Sequence, residues 1–194
     1  MVSQAERRAA TVAAILAAAQ RQFATKGFEA TTIDDIAARA GVAKGAVYHH
    51  FDAKEQIFER VLESILAGMA KEVSAAAAAG KTIIDSMVIG TQKYLECATA
   101  RGTRRLLLVD GPVVLGWNKW RELDQRHFGR LTGPALAALK PGMSSSDVEA
   151  LIHLLTGAIT EAALVCATAR EPRKKARELA AGLRLLLGGL TQET

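Results

Sequence analysis

The chain predicts an all-α protein of about nine helices, and three observations carry that reading. Nearly half of its 194 residues are hydrophobic (49%), with Ala and Leu dominant, a composition that favours helices. Strand signals are almost absent. Leu106–Val109 and Pro112–Leu115 are short apolar runs, but their neighbours keep helical spacing. Finally, residues 31–51, TTIDDIAARAGVAKGAVYHHF, read as two short helices joined by a glycine turn.

Each element follows from its own pattern. Arg7-Arg8 before Ala9–Ala19 mimics a secretory or twin-arginine signal. Thr11 interrupts that run, and Val12, Ile15, Leu16, Ala19 and Phe23 share one face, so a core-facing first helix is the better reading. The second helix, Ile33 to Ala40, turns Ile33, Ile36, Ala37 and Ala40 to one side. Gly41 supplies the turn, because a residue without a Cβ takes positive φ without steric cost. The third helix, about 44–51, turns Val47 and Phe51 inward and Lys44, Gly45, Tyr48 and His49 outward. Asp52-x-x-Glu55 resembles a capping box for a fourth helix, which keeps its apolar period from Ile57 to Val73 and ends near Gly80. A fifth runs from about Thr82 to Ala100, and a sixth to about Val109. Asp110-Gly111-Pro112 reads as a break or cap before a seventh. That one reaches about Leu139, with Gly129 and Gly133 as candidate interruptions. Ser146-x-x-Glu149 reads as the capping box of the eighth, and Pro172 opens a ninth with a leucine stripe.

The net charge of +5 and a pI of about 9.4 suit a polyanionic partner. The charge is not concentrated at the N-terminus: residues 1–60 hold eight Lys/Arg against seven Asp/Glu. Placement is more informative. Lys44 and Lys54 each open a helix, where a cation opposes the dipole. Both are easier to explain if a phosphate or a guanine edge waits there, although solvated surface lysines would look the same. Ala43, Gly45 and Ala46 are small, which lets the third helix approach a groove closely. That is the helix-turn-helix pattern, whose second helix enters the DNA major groove.

Residues 11–58 resemble the N-terminal domain of TetR-type transcriptional repressors. The matching string is Phe23, Gly27, Thr31-Thr32, Ile36-Ala37, Ala40-Gly41-Val42, Gly45, Tyr48, Phe51 and Lys54. Ala43 departs from it, because the family usually carries a Ser or Thr there that would cap the recognition helix. The resemblance implies that Thr31, Lys44, Tyr48, His49 and Lys54 face DNA. Thr32, Gly45 and Ala46 complete the DNA-binding set. It also implies a homodimer, which would match a palindromic operator.

The segment Arg104–Leu131 holds both tryptophans, and aromatic walls with a few polar groups describe a small-molecule pocket. The candidate ligand-binding residues are Met87, Tyr94, Asp110, Trp117, Trp120, Phe128 and Glu161. Competing readings are ordinary core for the tryptophans and a helix cap for Asp110. The eighth helix is apolar over a broad arc, and the last two helices supply the candidate dimer interface: Leu151, Leu155, Ile159, Leu179, Leu183 and Leu186. Intrachain packing would leave the same pattern.

Cys97 and Cys166 lie far apart, without metal-site or CxxC spacing, which favours reduced thiols in the cytoplasm. No metal, cofactor or catalytic arrangement is expected, since the sequence has no HExxH, GxSxG, Walker-type or GxGxxG motif. No membrane span is expected either. The expected organisation is a DNA-binding domain at 1–52 and a ligand-binding and dimerisation domain at 53–194. The expected function is a ligand-responsive repressor, released from its operator by a small, largely apolar molecule. The alternative is a DNA-binding dimer whose C-terminal domain only dimerises or binds a protein.

Overall fold

A computed structural model describes residues 3–191 of the chain. Among them it has nine α-helices, one π-helical turn and no strand. The helices are α1 (Gln4–Lys26), α2 (Ile33–Ala40), α3 (Lys44–His50), α4 (Lys54–Ala77), α5 (Ile83–Ala98), α6 (Gly111–Leu115), α7 (Trp117–Leu139), α8 (Ser145–Thr168) and α9 (Pro172–Thr191). The π-turn, Arg105–Asp110, stands where a regular sixth helix was expected. Its ladder runs directly into α6, and Gly116 at φ +77° then separates α6 from α7. Gly129, Gly133 and even Pro134 stay inside a continuous α7.

Caps explain the helix starts. Thr32 accepts from the Asp35 N–H while Asp35 reaches back to the Thr32 N–H, so α2 opens on a full capping box. Ser144 and Asp147 do the same for α8, two residues earlier than the expected Ser146–Glu149 pair. At α4, Gln56 and not Glu55 reaches the Asp52 N–H, at 2.9 Å.

The chain divides into two compact units. Unit 1 comprises residues 1–65 and 101–120; unit 2 comprises residues 66–100 and 121–194. This differs from the contiguous division expected at residue 52/53. The cause is the stretch 101–120, whose Leu106, Leu107, Leu108 and Trp120 are buried in unit 1.

In unit 1, α1 packs on α2 and on the π-turn. Its core holds Ile15, Phe23, Ile36, Val47 and Leu62. Phe23, Phe28 and Phe58 form a ring triangle with centroids 5.3–5.6 Å apart. In unit 2, α5, α8 and α9 pack on one another. One core cluster there joins Leu136, Leu155, Leu183 and Leu187. A polar pair is also buried in unit 2: the Tyr94 hydroxyl donates to Asp124 Oδ1 at 3.0 Å, and each residue is only 5% exposed.

Two stability predictions follow from this packing. A Cβ on Gly111 would lie 2.8 Å from Trp120 Cδ1 and 3.0 Å from the Leu106 carbonyl oxygen. Gly111→Ala should therefore destabilise the chain by about 1–3 kcal/mol through overpacking, read as a lower denaturant midpoint. The second concerns pH. Burial raises the Asp124 carboxyl from 3.8 to about 6. The folded state thus holds this proton more tightly than the unfolded one. The associated stability is full below the unfolded value and is lost as pH rises through about 6. Asp124→Asn should become more stable than the wild type by a margin that grows from pH 4 to 7, up to about 3 kcal/mol. A pH-independent difference in unfolding free energy would contradict this.

Candidate nucleic-acid interface and ligand cavity

The helix-turn-helix is built as its sequence suggests. Gly41 sits in the left-handed region at φ +68°, and Val42 donates back to the Ala37 carbonyl, which closes α2 and turns the chain toward α3. Val47 is buried beneath α3, and the opposite face is open. Lys44, Gly45 and His49 are exposed, and Tyr48 is 50% exposed. Ala46 is half-buried. Ala43 stands at the N-cap and makes no side-chain hydrogen bond, in keeping with the departure noted at that position.

The two lysines that looked anomalous have intrachain partners. Lys44 Nζ lies 2.8 Å from Asp34 Oδ2 across the turn, and this neighbour raises the lysine's pKa. Its carboxylate partner opens α2, so the pair bridges the two helices of the motif. Lys54 is taken up more completely. Its ammonium donates to the Phe28 carbonyl at 2.9 Å and the Thr31 carbonyl at 2.8 Å, and sits 4.2 Å from the Phe28 ring centroid. Here Lys54 holds the loop before α2. Thr31 is fully buried, its hydroxyl donating to the Gly27 carbonyl at 2.7 Å, and so is not on the surface expected to meet DNA. Thr32 is exposed but serves as the α2 cap.

The same loop is gripped from the far side. Asp110 Oδ2 accepts from the Phe28 N–H at 3.1 Å and lies 3.3 Å from Arg105 Nε. The Arg105 guanidinium lies over Gly27, where any Cβ would fall 1.8 Å from it. Asp110 is therefore neither a local helix cap nor a cavity residue. Its partner lies 82 residues away, a pairing that no local pattern could reveal.

Unit 2 contains a cavity of about 180 Å³. For comparison, an engineered apolar cavity of about 150 Å³ accepts benzene. Its walls are mainly aliphatic and aromatic, including Val73, Met87, Phe128, Leu131, Ile159 and Leu183. Tyr94, Asp124, Thr91, Thr132 and Thr156 supply polar atoms. The Tyr94 and Phe128 rings meet edge-on with centroids 4.8 Å apart. Of the residues expected to bind ligand, Met87, Tyr94 and Phe128 line this cavity; Asp110, Trp117, Trp120 and Glu161 do not. The tryptophans stack on each other at 5.0 Å within unit 1, and Glu161 is exposed. Asp124 was missed, although a signal existed. With Phe128, Leu131 and Ala135 it forms a stripe at helical spacing, so it is a lone carboxylate on an apolar face.

The last two helices keep an apolar face that no described residue covers. Leu155 and Leu183 turn into the core and Ile159 into the cavity wall, while Leu151 and Leu179 are half-buried. Leu154 (69%), Leu185 (78%) and Leu186 (64%) are exposed, as are Leu164 and Val165. The helix α8 is also long and apolar enough to cross a membrane by length and composition, and little of it is buried within the chain. Asp147 and Glu149 stand near its N-terminal end and Glu161 further along.

Comparison with known proteins is consistent along the chain. Residues 15–61 match the family model for bacterial regulatory proteins of the tetR family, and residues 84–190 match that for the tetracyclin repressor-like C-terminal domain. The transcriptional repressor KstR2 of Mycolicibacterium smegmatis is 48% identical over 52 residues, covering 27% of this chain and 25% of that protein. The chain thus spans only a quarter of that relative's length. A TetR-family regulator from Pectobacterium atrosepticum superposes with a TM-score of 0.77 at 28% identity, covering 98% of both chains. RolR, solved with resorcinol, superposes with a TM-score of 0.74 at 15% identity, covering 95% of this chain and 91% of that one, a likeness of fold. With family models matched at both ends, the second across more than half its length, the chain belongs to the TetR family of bacterial transcriptional regulators, not to an enzyme family.

Proposed function

We propose that this regulator is a repressor that grips a palindromic DNA operator as a homodimer and lets go when a small, largely apolar molecule fills the unit 2 cavity. It would act in the cytoplasm, where its operator is. The observation that carries the DNA reading is the open face of α3. Gly45 has no heavy atom within 4 Å of where a Cβ would stand, so no intrachain contact requires glycine there. Glycine in a helix is nonetheless unfavourable. A groove wall that must come close to the backbone supplies the reason. Tyr48 and His49 flank this position and would meet bases or phosphates, with Lys44 exchanging Asp34 for a phosphate. Thr31 and Lys54 would act indirectly, by fixing the loop that aims α2 and α3.

The exposed strip on α8 and α9 supports the dimer. Leu154, Ala158 and Val165 follow helical spacing on α8; Gly182, Leu185 and Gly189 do so on α9. Glycines with open space beside them let a second copy approach closely. Covering this strip also accounts for the membrane-like composition of α8 without a membrane. The interface thus lies one position over from several residues named from sequence, because Leu155 and Leu183 already serve the chain's own core.

A two-fold dimer must hold its recognition helices about 34–36 Å apart to enter successive major grooves. Both α4 and α7 contribute residues to unit 1 and to the cavity wall in unit 2. A ligand that prefers one setting of these helices would shift the population of competent spacings; one that binds both settings equally would shift nothing. RolR, which shares this fold, was solved with resorcinol bound, which supports a small-molecule ligand for the cavity. The cavity favours this reading over a domain that only dimerises.

Three measurements test these parts. An operator can first be selected from a random duplex pool with the intact protein. Gly45→Ala should then stabilise the chain, by up to about 1 kcal/mol, while weakening operator binding in fluorescence polarisation. Stabilisation with unchanged binding would refute close approach at α3. Tyr48→Ala should weaken binding with the melting temperature unchanged. Finally, Leu154→Asp combined with Leu185→Asp should convert a dimeric mass in light scattering to a folded monomer and abolish operator binding. A monomeric wild type at micromolar concentration would refute the dimer.

A further inference from the structure

We infer that the unit 2 cavity selects a small neutral molecule whose apolar body carries a hydrogen-bond donor, such as a phenolic hydroxyl, and that Asp124 reads that donor and turns carboxylates away. This rests on the ligand-responsive reading above and specifies what the ligand must carry.

Among the described residues, Asp124 and Tyr94 are the only ionisable ones that line the cavity, and no lysine, arginine or histidine does. A bound carboxylate would therefore meet another carboxylate in an apolar enclosure with no cation in the wall. Like charges that close, out of water, are strongly disfavoured. To admit an acid the site would have to take up a proton, and this becomes harder as the solution turns alkaline.

Asp124 is 5% exposed, and a buried charge is tolerated only when hydrogen-bonded. Tyr94 donates to Oδ1. An ionised carboxylate accepts several hydrogen bonds, so one phenolic donor does not exhaust it. A ligand hydroxyl inside the cavity would add a charge-assisted bond, the strong kind. The apolar remainder of the ligand would face Val73, Leu131, Ile159 and Leu183.

A cationic ligand fits less well. The charge of Arg121 already acts on Asp124, although Arg121 does not line the cavity. A second cation would have to leave water for a site whose anion is already partly compensated. The neutral donor gains the hydrogen bond without that desolvation cost.

The test uses the intact chain and four probes matched in size: 4-propylphenol, 4-propylanisole, 4-propylbenzoate and 4-propylaniline, titrated calorimetrically at pH 8. Asp124 is ionised there, because burial lifts it only to about 6. The phenol should bind about tenfold or more tightly than the anisole, the effect of one hydrogen bond to a charged group. The benzoate should not bind measurably. The aniline, uncharged at this pH, donates more weakly and should fall between phenol and anisole. Asp124→Leu should erase the phenol's advantage over the anisole. Asp124→Asn should admit the benzoate, because the amide can donate to a carboxylate where the acid repels it. Equal binding of phenol and anisole by the wild type, or binding of the benzoate as tightly as the phenol, overturns the inference and leaves the cavity as a plain apolar ligand site. Binding of none of the four would instead overturn the ligand-site reading beneath it.

Discussion

The loop from Gly27 to Thr32 is the constraint on which unit 1 depends. It joins α1 to the helix-turn-helix, and its backbone groups lie where water cannot serve all of them. Two charged side chains from elsewhere in the chain serve them instead. Lys54 Nζ binds the Phe28 and Thr31 carbonyls, and Asp110 accepts the Phe28 N–H. Phe28 is thereby held at both its carbonyl and its amide, with its ring in the Phe23–Phe58 triangle. A charged group is well suited to this task, because hydrogen bonds to it are stronger than neutral ones. Beyond the loop, the Thr32 cap sets the start of α2, and Gly41 sets the turn that leads into α3. The orientation of the proposed reading head therefore depends on a residue in the π-turn that local sequence would assign to a cap. A π-turn inside a helical run is uncommon and often marks a functional position. Here it aims Asp110 and Arg105 at the loop while burying Leu106, Leu107 and Leu108.

What sequence revealed and what it missed divide along physical lines. The all-helical class, α2 to the residue, the Gly41 turn and the inward Val47 were legible, because period and turn chemistry are local properties. Helix starts were legible only in part. Ser144 and Ser146 are equally good capping residues by type, and the choice between them is settled by which one has an acid three residues on that can reach back; Asp147 does so. The roles of Lys54, Asp110 and Trp120 were not legible, since each is decided by a contact with residues remote in sequence. Lys54 shows the risk. A cation at a helix start looked like a phosphate ligand, and the carbonyls of Phe28 and Thr31 already satisfy it. The cavity was half legible: Met87, Tyr94 and Phe128 were found by their aromatic or flexible character. Asp124 was passed over because a single carboxylate reads as surface until its helical face is drawn.

Features that appear unfavourable for the lone chain share a cause in the proposed function. Gly45 gives up helix stability at a position with empty space around it. Leu154, Leu185 and Leu186 expose apolar surface that an isolated soluble chain would cover. Asp124 buries a carboxylate in a mainly apolar pocket, where the Tyr94 hydroxyl donates to one of its oxygens. None of the three is explained by folding. Each would be relieved by a different partner: a groove wall, a second copy and a hydrogen-bond donor.

Those partners would act on one another through the helices that unit 1 and unit 2 both use. In α4, Lys54 clasps the loop before α2, while Val73, Ser74 and Ala77 line the cavity. In α7, Trp120 lies against Gly111 behind the π-turn, and one helical turn later Asp124 reaches the cavity. A donor that draws Asp124 inward acts on the same helix whose first turn supports the π-turn. The π-turn in turn holds Phe28. Coupling between distant sites is typically about 1–3 kcal/mol. That coupling would require a ligand whose hydrogen bond to Asp124 is better in one setting of α7 than in the other.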